Sequence, residues 1–304
     1  MKIKSIKKIQ PEESRCLTVD SPFQLFTLSN GLLTGNSVIQ QNIAWSVLLR
    51  PKEWQMIGID LKKVELTNYR KYGIPVASTM EDAGVFIEFC QALMMKRYTE
   101  MEELNINNYS KMPEDKKGPA FLLLIDEFGE IANPIKGKSD EAQELAQVQE
   151  QIMMNLSSIA RLGRAAQVFI VLATQRPAGD IIPMSIRDNL AIRVGAGRLK
   201  SNTSQMLFGS SGGTRIRSNP KGGVGVQIHG GQVNLGQGFY EDQRWIDNYF
   251  ASHGGFNADA LDKIEEIKSL KAKSDSPTKS DGRPEDSWDE EMEAIYDVKD
   301  QGRR

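Results

Sequence analysis

Two acidic residues stand directly after an apolar run near the middle of the chain. The run covers residues 121–125, and Asp126 and Glu127 follow it. A continuous apolar run of this length predicts a buried central strand, so both acids should lie at an edge of a sheet. One acid can hold the hydration shell of a Mg²⁺ ion there, while the other orients an attacking water. This is the form of a Walker B element, although apolar strands that end in two acids also arise by chance.

The next apolar run also ends in polar residues. Residues 168–173 predict a second buried strand, and Thr174-Gln175-Arg176-Pro177 follow it. Functional groups of parallel α/β sheets collect at the carboxyl ends of the strands, so the Gln175 amide should lie beside the two acids. Two consecutive strands that end in this way favour a functional site over an ordinary strand end.

The elements that must position these groups alternate along the chain. Helical and strand periods succeed one another from Ser37 to about residue 250, which predicts an α/β domain with a mostly parallel sheet. Helices are predicted at 38–49, 81–102 and 140–162, and strands at 56–60, 121–125, 168–173, 190–194 and 224–228.

A nucleotide site of this kind needs a phosphate loop, but the chain has no G-x-x-x-x-G-K-[ST] segment. Residues 1–36, which alternate apolar and polar positions between turn signals, predict short strands instead. They end in Asn36, and Ser37 follows. Protein splicing needs this pair, because the Asn side chain attacks its own carbonyl and the next residue supplies a hydroxyl nucleophile.

Residues 16–36 resemble the C-terminal fragment of a split intein, which ends in an N-G-x-x-T-x-N pattern. The resemblance implies that Ser37 completes a Walker A loop after trans-splicing to a separate N-terminal half that carries the Gly-rich part and the Lys. Gly35 and Gln24 replace two His residues of that family, which removes two acid/base catalysts. Two other interpretations stay open: residues 30–37 as a degenerate phosphate loop, and residues 1–36 as a plain β-rich extension.

Six segments, in order, resemble the FtsK/SpoIIIE-type DNA translocases over residues 37–240. They are Ile59-Asp60-Leu61-Lys62-Lys63-Val64-Glu65-Leu66, Met95-Lys96-Arg97-Tyr98, Asn108-Tyr109, the stretch 161–177 that ends in Ala173-Thr174-Gln175-Arg176-Pro177, Asn189-Leu190-Ala191-Ile192-Arg193-Val194, and Gly222-Gly223-Val224-Gly225. The resemblance implies a RecA-like P-loop ATPase core that uses ATP and Mg²⁺. It also implies a homohexamer that drives double-stranded DNA through its ring.

The resemblance assigns roles to individual residues. Ser37 would coordinate Mg²⁺ after splicing, Asp126 would sit in the second shell of the metal, and Glu127 would activate water. Gln175 would sense the γ-phosphate, and Arg176 would contact the nucleotide.

Arg193 is the implied arginine finger that reaches a neighbouring subunit, and an arginine paired within its own subunit is the alternative. Thr203-Ser204-Gln205 stands where the family often has D-S-R, which removes one candidate trans-acting arginine. Phosphate contacts need only Lys or Arg. The candidates for DNA binding, which also fit an ordinary solvated loop, are Arg198, Lys200, Arg215, Arg217 and Lys221.

Composition sets the outer limits. The chain has 304 residues and a formal net charge of -2, so any nucleic-acid contact must come from a local surface or an assembled ring. The two cysteines, Cys16 and Cys90, lack metal-ligand spacing and indicate a reducing compartment. No apolar run predicts a signal peptide or a membrane span, and a cytoplasmic location is expected.

The predicted organisation is therefore an intein fragment at 1–36, an FtsK-like ATPase domain at 37–255 and a charged, largely disordered tail at 256–304. The predicted function is the C-terminal half of an ATP-driven double-stranded DNA translocase, inactive for ATP hydrolysis until spliced. The alternatives are a conjugation or DNA-packaging ATPase of the HerA–FtsK group and a non-hydrolysing DNA-binding subunit.

Overall fold

The computed structural model describes residues 35–179, 181–217, 223–237 and 243–253. They divide into two compact units. The larger unit contains the described residues of 43–190 and those from 243 onward, and the smaller unit contains the described residues up to 42 and those of 191–242.

A four-stranded parallel sheet forms the centre of the larger unit. Its strand order is β2-β1-β3-β4, with β1 at Trp54–Ile59, β2 at Val76–Ala77, β3 at Ala120–Ile125 and β4 at Val168–Leu172. Ile59 of β1 is level with Ile125 of β3, and Ile125 is level with Leu172 of β4. The three strands therefore end side by side, and whatever follows each of them meets at one edge.

Both faces of this sheet are covered, because every residue of β3 is apolar and buried. Successive strand residues point to opposite faces. Phe121, Leu123 and Ile125 pack on one side, with helices α2 (Met80–Glu103) and α4 (Asp140–Leu162). Leu122 and Leu124 pack on the other side with residues from the end of helix α1 (Gly35–Leu48), the 3₁₀ helix Thr67–Tyr72 and helix α7 (Gln243–His253).

Capping residues begin the two long helices. Thr79 accepts a hydrogen bond from the Asp82 amide at the start of α2, and Ser139 accepts one from the Ala142 amide at the start of α4. Acidic residues occupy the first turn of each helix, where they face the positive end of the helix dipole. The larger unit also contains three short helical segments: α3 (Gly129–Ala132), α5 (Met184–Arg187) and a 3₁₀ turn at Tyr109–Lys111.

The smaller unit contains a three-stranded antiparallel sheet. Its order is β5-β6-β7, formed by Ile192–Ala196, Gly223–Ile228 and Asn234–Gln237. Helix α6 (Ser201–Phe208) and a 3₁₀ helix at Ser211–Arg215 lie between β5 and β6. Gly225 on β6 lets neighbouring side chains pack closely, because a Cβ there would lie 2.7 Å from Ile216 Cδ1 and 2.9 Å from Val233 Cγ1.

The structure agrees with most of the predicted elements and differs in the smaller unit. The predicted strand at 190–194 begins only at Ile192, because the Leu190 amide closes a turn onto the Arg187 carbonyl and its side chain joins the core of the larger unit. Helix α1 begins at Gly35, before the predicted Val38, so Asn36 and Ser37 are helical. The predicted β-rich segment up to residue 34 and the predicted tail from 256 lie outside the described residues.

Candidate functional site

Acidic and polar residues from three strands meet at the carboxyl edge of the larger sheet. Asp60 follows β1, Asp126 and Glu127 follow β3, and Thr174 comes two residues after the end of β4. The Asp126 amide donates to the Ile59 carbonyl at 2.9 Å, and the Phe128 amide donates to the Ala173 carbonyl at 2.7 Å. These bonds join the strand ends and bring the predicted acids next to the segment that contains Gln175.

The Glu127 carboxylate is held from two sides. Its Oε1 accepts hydrogen bonds from the Thr174 hydroxyl at 3.0 Å and from the backbone amide of Gln175 at 3.4 Å. Its Oε2 lies 3.6 Å from the Lys62 ammonium. The backbone of Glu127 has φ of 44°, a left-handed conformation that is rare for a residue with a side chain. Such strain is often found at functional sites, where the surrounding structure fixes it.

The pKa of Asp126 is raised by burial and by the neighbouring carboxylates. Burial is the largest cause that raises the pKa of its carboxyl, and together with the neighbouring carboxylates Asp60, Glu65 and Glu127 it brings that pKa to about 6. The amide of Glu127 acts against this shift. The ionised form of Asp126 is therefore held at an electrostatic cost in the protein alone.

Asp60 is fully buried next to these acids. Its Oδ2 accepts hydrogen bonds from the Leu66 amide at 2.9 Å and from the amide and hydroxyl of Thr67, both at 3.3 Å. Its Oδ1 is buried without a hydrogen-bond partner. An unsatisfied buried carboxylate oxygen is costly, so Asp60 adds to the excess of negative charge at this edge.

A Mg²⁺ ion fits this charge distribution. A cation beside Asp126 would relieve the repulsion that raises its pKa, and it would compensate for the unpartnered oxygen of Asp60. Among the described residues, no three His, Cys, Asp or Glu side chains are grouped closely enough to hold a metal unaided.

Comparison with known proteins identifies the domain that carries this edge. Residues 32–179 match the profile of the FtsK/SpoIIIE family. This match covers just under half of the chain, and the matched residues are called the FtsK/SpoIIIE domain below. The match includes Asp60, Asp126, Glu127 and Thr174, and it ends before Arg193.

Two curated relatives extend the similarity. The chain is 27% identical over 223 residues to the DNA translocase FtsK of Borreliella burgdorferi, which covers 69% of this chain and 26% of that protein. It is 24% identical over 308 residues to FtsK of Pseudomonas syringae pv. syringae, which covers 87% of this chain and 35% of that protein. The chain therefore spans about a quarter to a third of the length of these relatives.

Solved structures share the fold of the chain. The pCW3 conjugation coupling protein TcpA matches with a TM-score of 0.63 and 23% identity, over 71% of this chain and 60% of that one. EssC from Geobacillus thermodenitrificans, in a structure of its ATPases 2 and 3, matches with a TM-score of 0.56 and 15% identity, over 79% and 42%. The predicted fold class, an α/β P-loop ATPase core with a mostly parallel sheet, is confirmed.

The described contacts do not test the predicted roles of three site residues. The Gln175 and Arg176 side chains are exposed beside the acidic edge of the FtsK/SpoIIIE domain. Ser37 is in helix α1, and its side chain is not among those described. The roles of Gln175, Arg176 and Ser37 toward a nucleotide stay predictions, as do splicing at Asn36 and the domain boundaries.

The other predicted residues lie in the smaller unit. Arg193 is half-buried in β5 and donates from Nη1 to the Leu207 carbonyl at 3.3 Å, near the end of α6. Backbone bonds bring the basic loops together, since the Leu199 amide donates to the Gly213 carbonyl at 3.2 Å and the Gly223 amide donates to the Arg217 carbonyl at 3.3 Å. Lys221 lies outside the described residues, and the four basic residues with described, exposed side chains are Arg198, Lys200, Arg215 and Arg217.

One other segment of the FtsK/SpoIIIE domain contains part of a phosphate loop. Gly137-Lys138-Ser139 precedes helix α4, as G-K-S precedes a helix in a Walker A motif. However, the short helix α3 comes before this segment instead of a strand, and Ala132 stands at the position of the first Gly. The Ser139 hydroxyl caps α4 by accepting from the Ala142 amide at 3.2 Å. The strand–loop–helix context of a phosphate loop is therefore missing.

Sequence reasoning gave no role to Asp60, Lys62 or Thr174, although all three lie at the site. Asp60 could have been found by its position, because it follows β1 in the way that Asp126 follows β3. Thr174 precedes the predicted sensor Gln175, and its hydroxyl contacts Glu127 while the Gln175 contact comes from the backbone. Lys62 lies in a loop, where no periodic pattern indicates the direction of a side chain.

Proposed function

We propose that this chain is the C-terminal half of an ATP-driven double-stranded DNA translocase, completed by protein trans-splicing at Asn36 and Ser37. The observation that carries the ATPase part is the carboxyl edge of the FtsK/SpoIIIE domain. There Asp126 and Glu127 follow the central strand, and Thr174 and Gln175 from the neighbouring strand hold Glu127. This arrangement provides an acid for a metal shell and a second acid for an attacking water.

Each residue then has a defined task. Glu127 orients the attacking water, and Gln175 contacts the γ-phosphate. Asp126 and Ser37 hold a Mg²⁺ ion, which when bound neutralises charge on the phosphates. Arg193 supplies a cation to the site of a neighbouring subunit in a homohexamer. The structure of TcpA, which shares the fold, was determined with ATPγS, and this supports the proposal that the chain uses a nucleotide.

The second ligand in this proposal is double-stranded DNA. Arg198, Lys200, Arg215 and Arg217 are exposed between β5 and β6, on segments that backbone hydrogen bonds join. Lysine and arginine on such segments contact phosphates without reading bases, as a motor that moves along any sequence requires. The FtsK relatives, whose name states that they are DNA translocases, support this assignment.

The open edge of β4 supports a missing partner half. Among the described residues, β4 pairs only with β3. Gln167 and Ala173 bond toward β3, so the alternate residues Ile170 and Leu172 direct their backbone groups to the other edge. A phosphate loop needs a strand that ends at the same edge as Asp126. A parallel strand from the N-terminal half, added to β4, would bring that loop beside Thr174.

The test of splicing is to mix this chain with the half that carries the Gly-rich loop. We expect a ligated product, called the completed protein below, and a freed peptide of residues 1–36 on a denaturing gel. Asn36→Ala should block release of that peptide, because alanine has no amide to cyclise. Gly35→His should speed the reaction by restoring a proton donor. Identical bands from wild type and Asn36→Ala would show that residues 1–36 are an ordinary extension.

The test of the split ATPase is hydrolysis by this chain alone. We expect none, because the Lys and the backbone amides that cradle the phosphates are supplied by the other half. DNA-stimulated hydrolysis by the isolated chain would contradict the split. Lys138→Ala then shows whether Gly137-Lys138-Ser139 is responsible, since only in that case would the variant lose the activity.

A conjugation ATPase is the second candidate, and the likeness to the conjugation coupling protein TcpA favours it. The chemistry at Glu127 would be the same, and the cellular process would differ. Deleting the chain's coding region and measuring plasmid transfer separately from chromosome segregation distinguishes the two. Loss of transfer with normal segregation would support the second candidate.

A further inference from the structure

Lys62, at the carboxyl edge of the larger sheet, forms an ion pair with Glu127. The Lys62 ammonium lies 3.6 Å from Glu127 Oε2 and 3.5 Å from Glu130 Oε1. The Glu127 side chain is 12% exposed, whereas that of Lys62 is 39% exposed. Lys62 therefore covers the solvent side of a nearly buried carboxylate, and Thr174 holds the opposite oxygen.

The loop that carries Lys62 is anchored in the core. Buried Asp60 accepts bonds from the Leu66 amide and from Thr67, which closes the segment 61–66 onto the end of β1. The Lys63 amide donates to the Asp60 carbonyl at 3.2 Å, and Lys63 has φ of 59°. This tight turn sets the direction in which the Lys62 side chain leaves the backbone.

The charges around Lys62 favour its protonated form. Partial burial lowers the pKa of Lys62, but the carboxylates of Glu127 and Glu130 outweigh it and raise the pKa above its ordinary value. An ion pair at an exposed position contributes little to stability. The contact between Lys62 and Glu127 therefore bears on the orientation of the Glu127 carboxylate more than on the stability of the fold.

We propose that Lys62 is a positioning residue that fixes the carboxylate of Glu127 for water activation. The inference rests on the proposed function, in which Glu127 orients the water that attacks ATP. A general base must be within hydrogen-bond reach of its proton, and a carboxylate fixed at one oxygen only can rotate about its side-chain bonds. Lys62 at Oε2 and Thr174 at Oε1 together prevent that rotation.

The experiment compares three variants of the completed protein: Lys62→Met, Lys62→Arg and Lys63→Met. Lys63 is the matched control, because it is the next residue, it is exposed, and it makes no ion pair within the described part of the chain. The quantities measured are kcat and KM for ATP, affinity for ADP and the midpoint of thermal unfolding.

We expect kcat of Lys62→Met to fall about tenfold, with KM, ADP affinity and the unfolding midpoint close to wild type, because only transition-state positioning is lost. Lys62→Arg should restore most of kcat, since a guanidinium also pairs with a carboxylate. Lys63→Met should behave as wild type.

Three results would overturn the proposal. An unchanged kcat in Lys62→Met would reduce Lys62 to a surface ion pair. A higher kcat would show that Lys62 restrains Glu127. A changed KM with constant kcat would show a nucleotide contact in place of positioning. If the completed wild-type protein does not hydrolyse ATP, the proposed function itself fails and this inference falls with it, so the wild-type control separates the two failures.

Discussion

At the carboxyl edge of the four-stranded sheet, carboxylates from neighbouring strand ends lie close together, whereas at the amino edge a single buried arginine is surrounded by carbonyl oxygens. Asp60 keeps an unpartnered buried oxygen at the first edge, and burial and neighbouring charges raise the pKa of Asp126 there. At the second edge, Arg97 is 4% exposed and donates to the carbonyls of Pro119, Ala166 and Gln167. The two edges belong to the same strands and have opposite electrostatics.

At the amino edge, side-chain contacts join the helices to the beginnings of the strands. The Arg97 guanidinium lies 4.4 Å from the centre of the Tyr109 ring, and the Tyr109 amide donates to the Ala165 carbonyl at 2.8 Å. The Tyr98 hydroxyl donates to the Leu162 carbonyl at 3.0 Å, which ties α2 to the end of α4. These contacts give polar partners to backbone groups just before β3 and β4, where a buried unsatisfied group would be costly.

The difference shows how one sheet separates stability from chemistry. Sites of open α/β sheets lie at the carboxyl ends of the strands, and groups held there in unfavourable states are available for catalysis. At the amino edge, by contrast, Arg97 gives hydrogen bonds to the carbonyls of Pro119, Ala166 and Gln167, so backbone groups next to β3 and β4 have charged partners. Substitutions at the two edges should therefore affect different measurements.

The largest expected effect is on turnover, at the carboxyl edge. Glu127→Gln in the completed protein should lower kcat by roughly 10²–10⁴-fold, the usual contribution of general acid–base catalysis. Nucleotide affinity and the unfolding midpoint should stay close to wild type, because the amide has nearly the same shape. Glu130→Gln, a neighbouring acid that also pairs with Lys62, is the matched control and should keep most of its activity. Normal turnover by Glu127→Gln would show that the Walker B assignment is wrong.

The next effect is on stability, at the amino edge. Arg97→Met should lower the free energy of unfolding of this chain by about 3 kcal/mol, because three carbonyls lose a charged donor and remain partly buried. Urea unfolding followed by circular dichroism measures this, with Lys96→Met as the neighbouring control. An Arg97→Met variant with unchanged stability would contradict the division of labour between the edges.

The carboxyl edge could be predicted from sequence because its signals are local. The run 121–125 followed by Asp126 and Glu127 indicates both the buried strand and the acids at its carboxyl end, and α4 at Asp140–Leu162 has the predicted bounds. The alignment of β3 and β4 then follows from the rule for parallel sheets. What a site residue touches across strands, as Thr174 touches Glu127, depends on register, which no local pattern contains.

The amino edge and the smaller unit were harder to predict for a physical reason. Arg97 belongs to a helix whose other buried residues are mostly apolar, so its burial depends on carbonyls of residues 22 to 70 positions away. In the smaller unit, Gly-rich sequence between 209 and 219 predicts only a loop, but its backbone forms the 3₁₀ helix Ser211–Arg215. The pairing of β5 with β6 is antiparallel. The alternation of apolar residues along the sequence does not show whether two strands pair in a parallel or an antiparallel way.

A smaller effect should come from the hydroxyl that holds Glu127. Thr174→Val in the completed protein keeps the shape of the side chain but removes the donor 3.0 Å from Glu127 Oε1. We expect kcat to fall about tenfold, the value of one hydrogen bond, with little change in stability. Thr174→Ser keeps the hydroxyl and should stay near wild type. If Thr174→Val turns over normally, the backbone amide of Gln175 is sufficient to orient Glu127. The Thr174 hydroxyl would then not contribute to the contrast between the edges.

The smallest expected effect tests the electrostatics of the carboxyl edge directly. The pKa of Asp126 is raised from its ordinary value of 3.8 to about 6 in the folded chain, chiefly by burial and then by Asp60, Glu65 and Glu127. The folded state therefore binds this proton more tightly than the unfolded state. The protonated Asp126 carboxyl therefore contributes to the stability of the folded state fully below about pH 4, and this contribution is lost as the pH rises through about 6. Asp126→Asn removes the charge, so its stability relative to wild type should rise between pH 4 and pH 8.

The change should be below roughly 1 kcal/mol, since the carboxyl is only half-buried and water screens its neighbours. Urea unfolding of the isolated chain without Mg²⁺, at both pH values, measures it. Asp115→Asn is the matched control, because Asp115 is exposed in the loop before β3. A stability difference between wild type and Asp126→Asn that is constant with pH, or that reverses in sign, would mean that Asp126 ionises without strain. The carboxyl edge would then lack the stored repulsion that distinguishes it from the edge around Arg97.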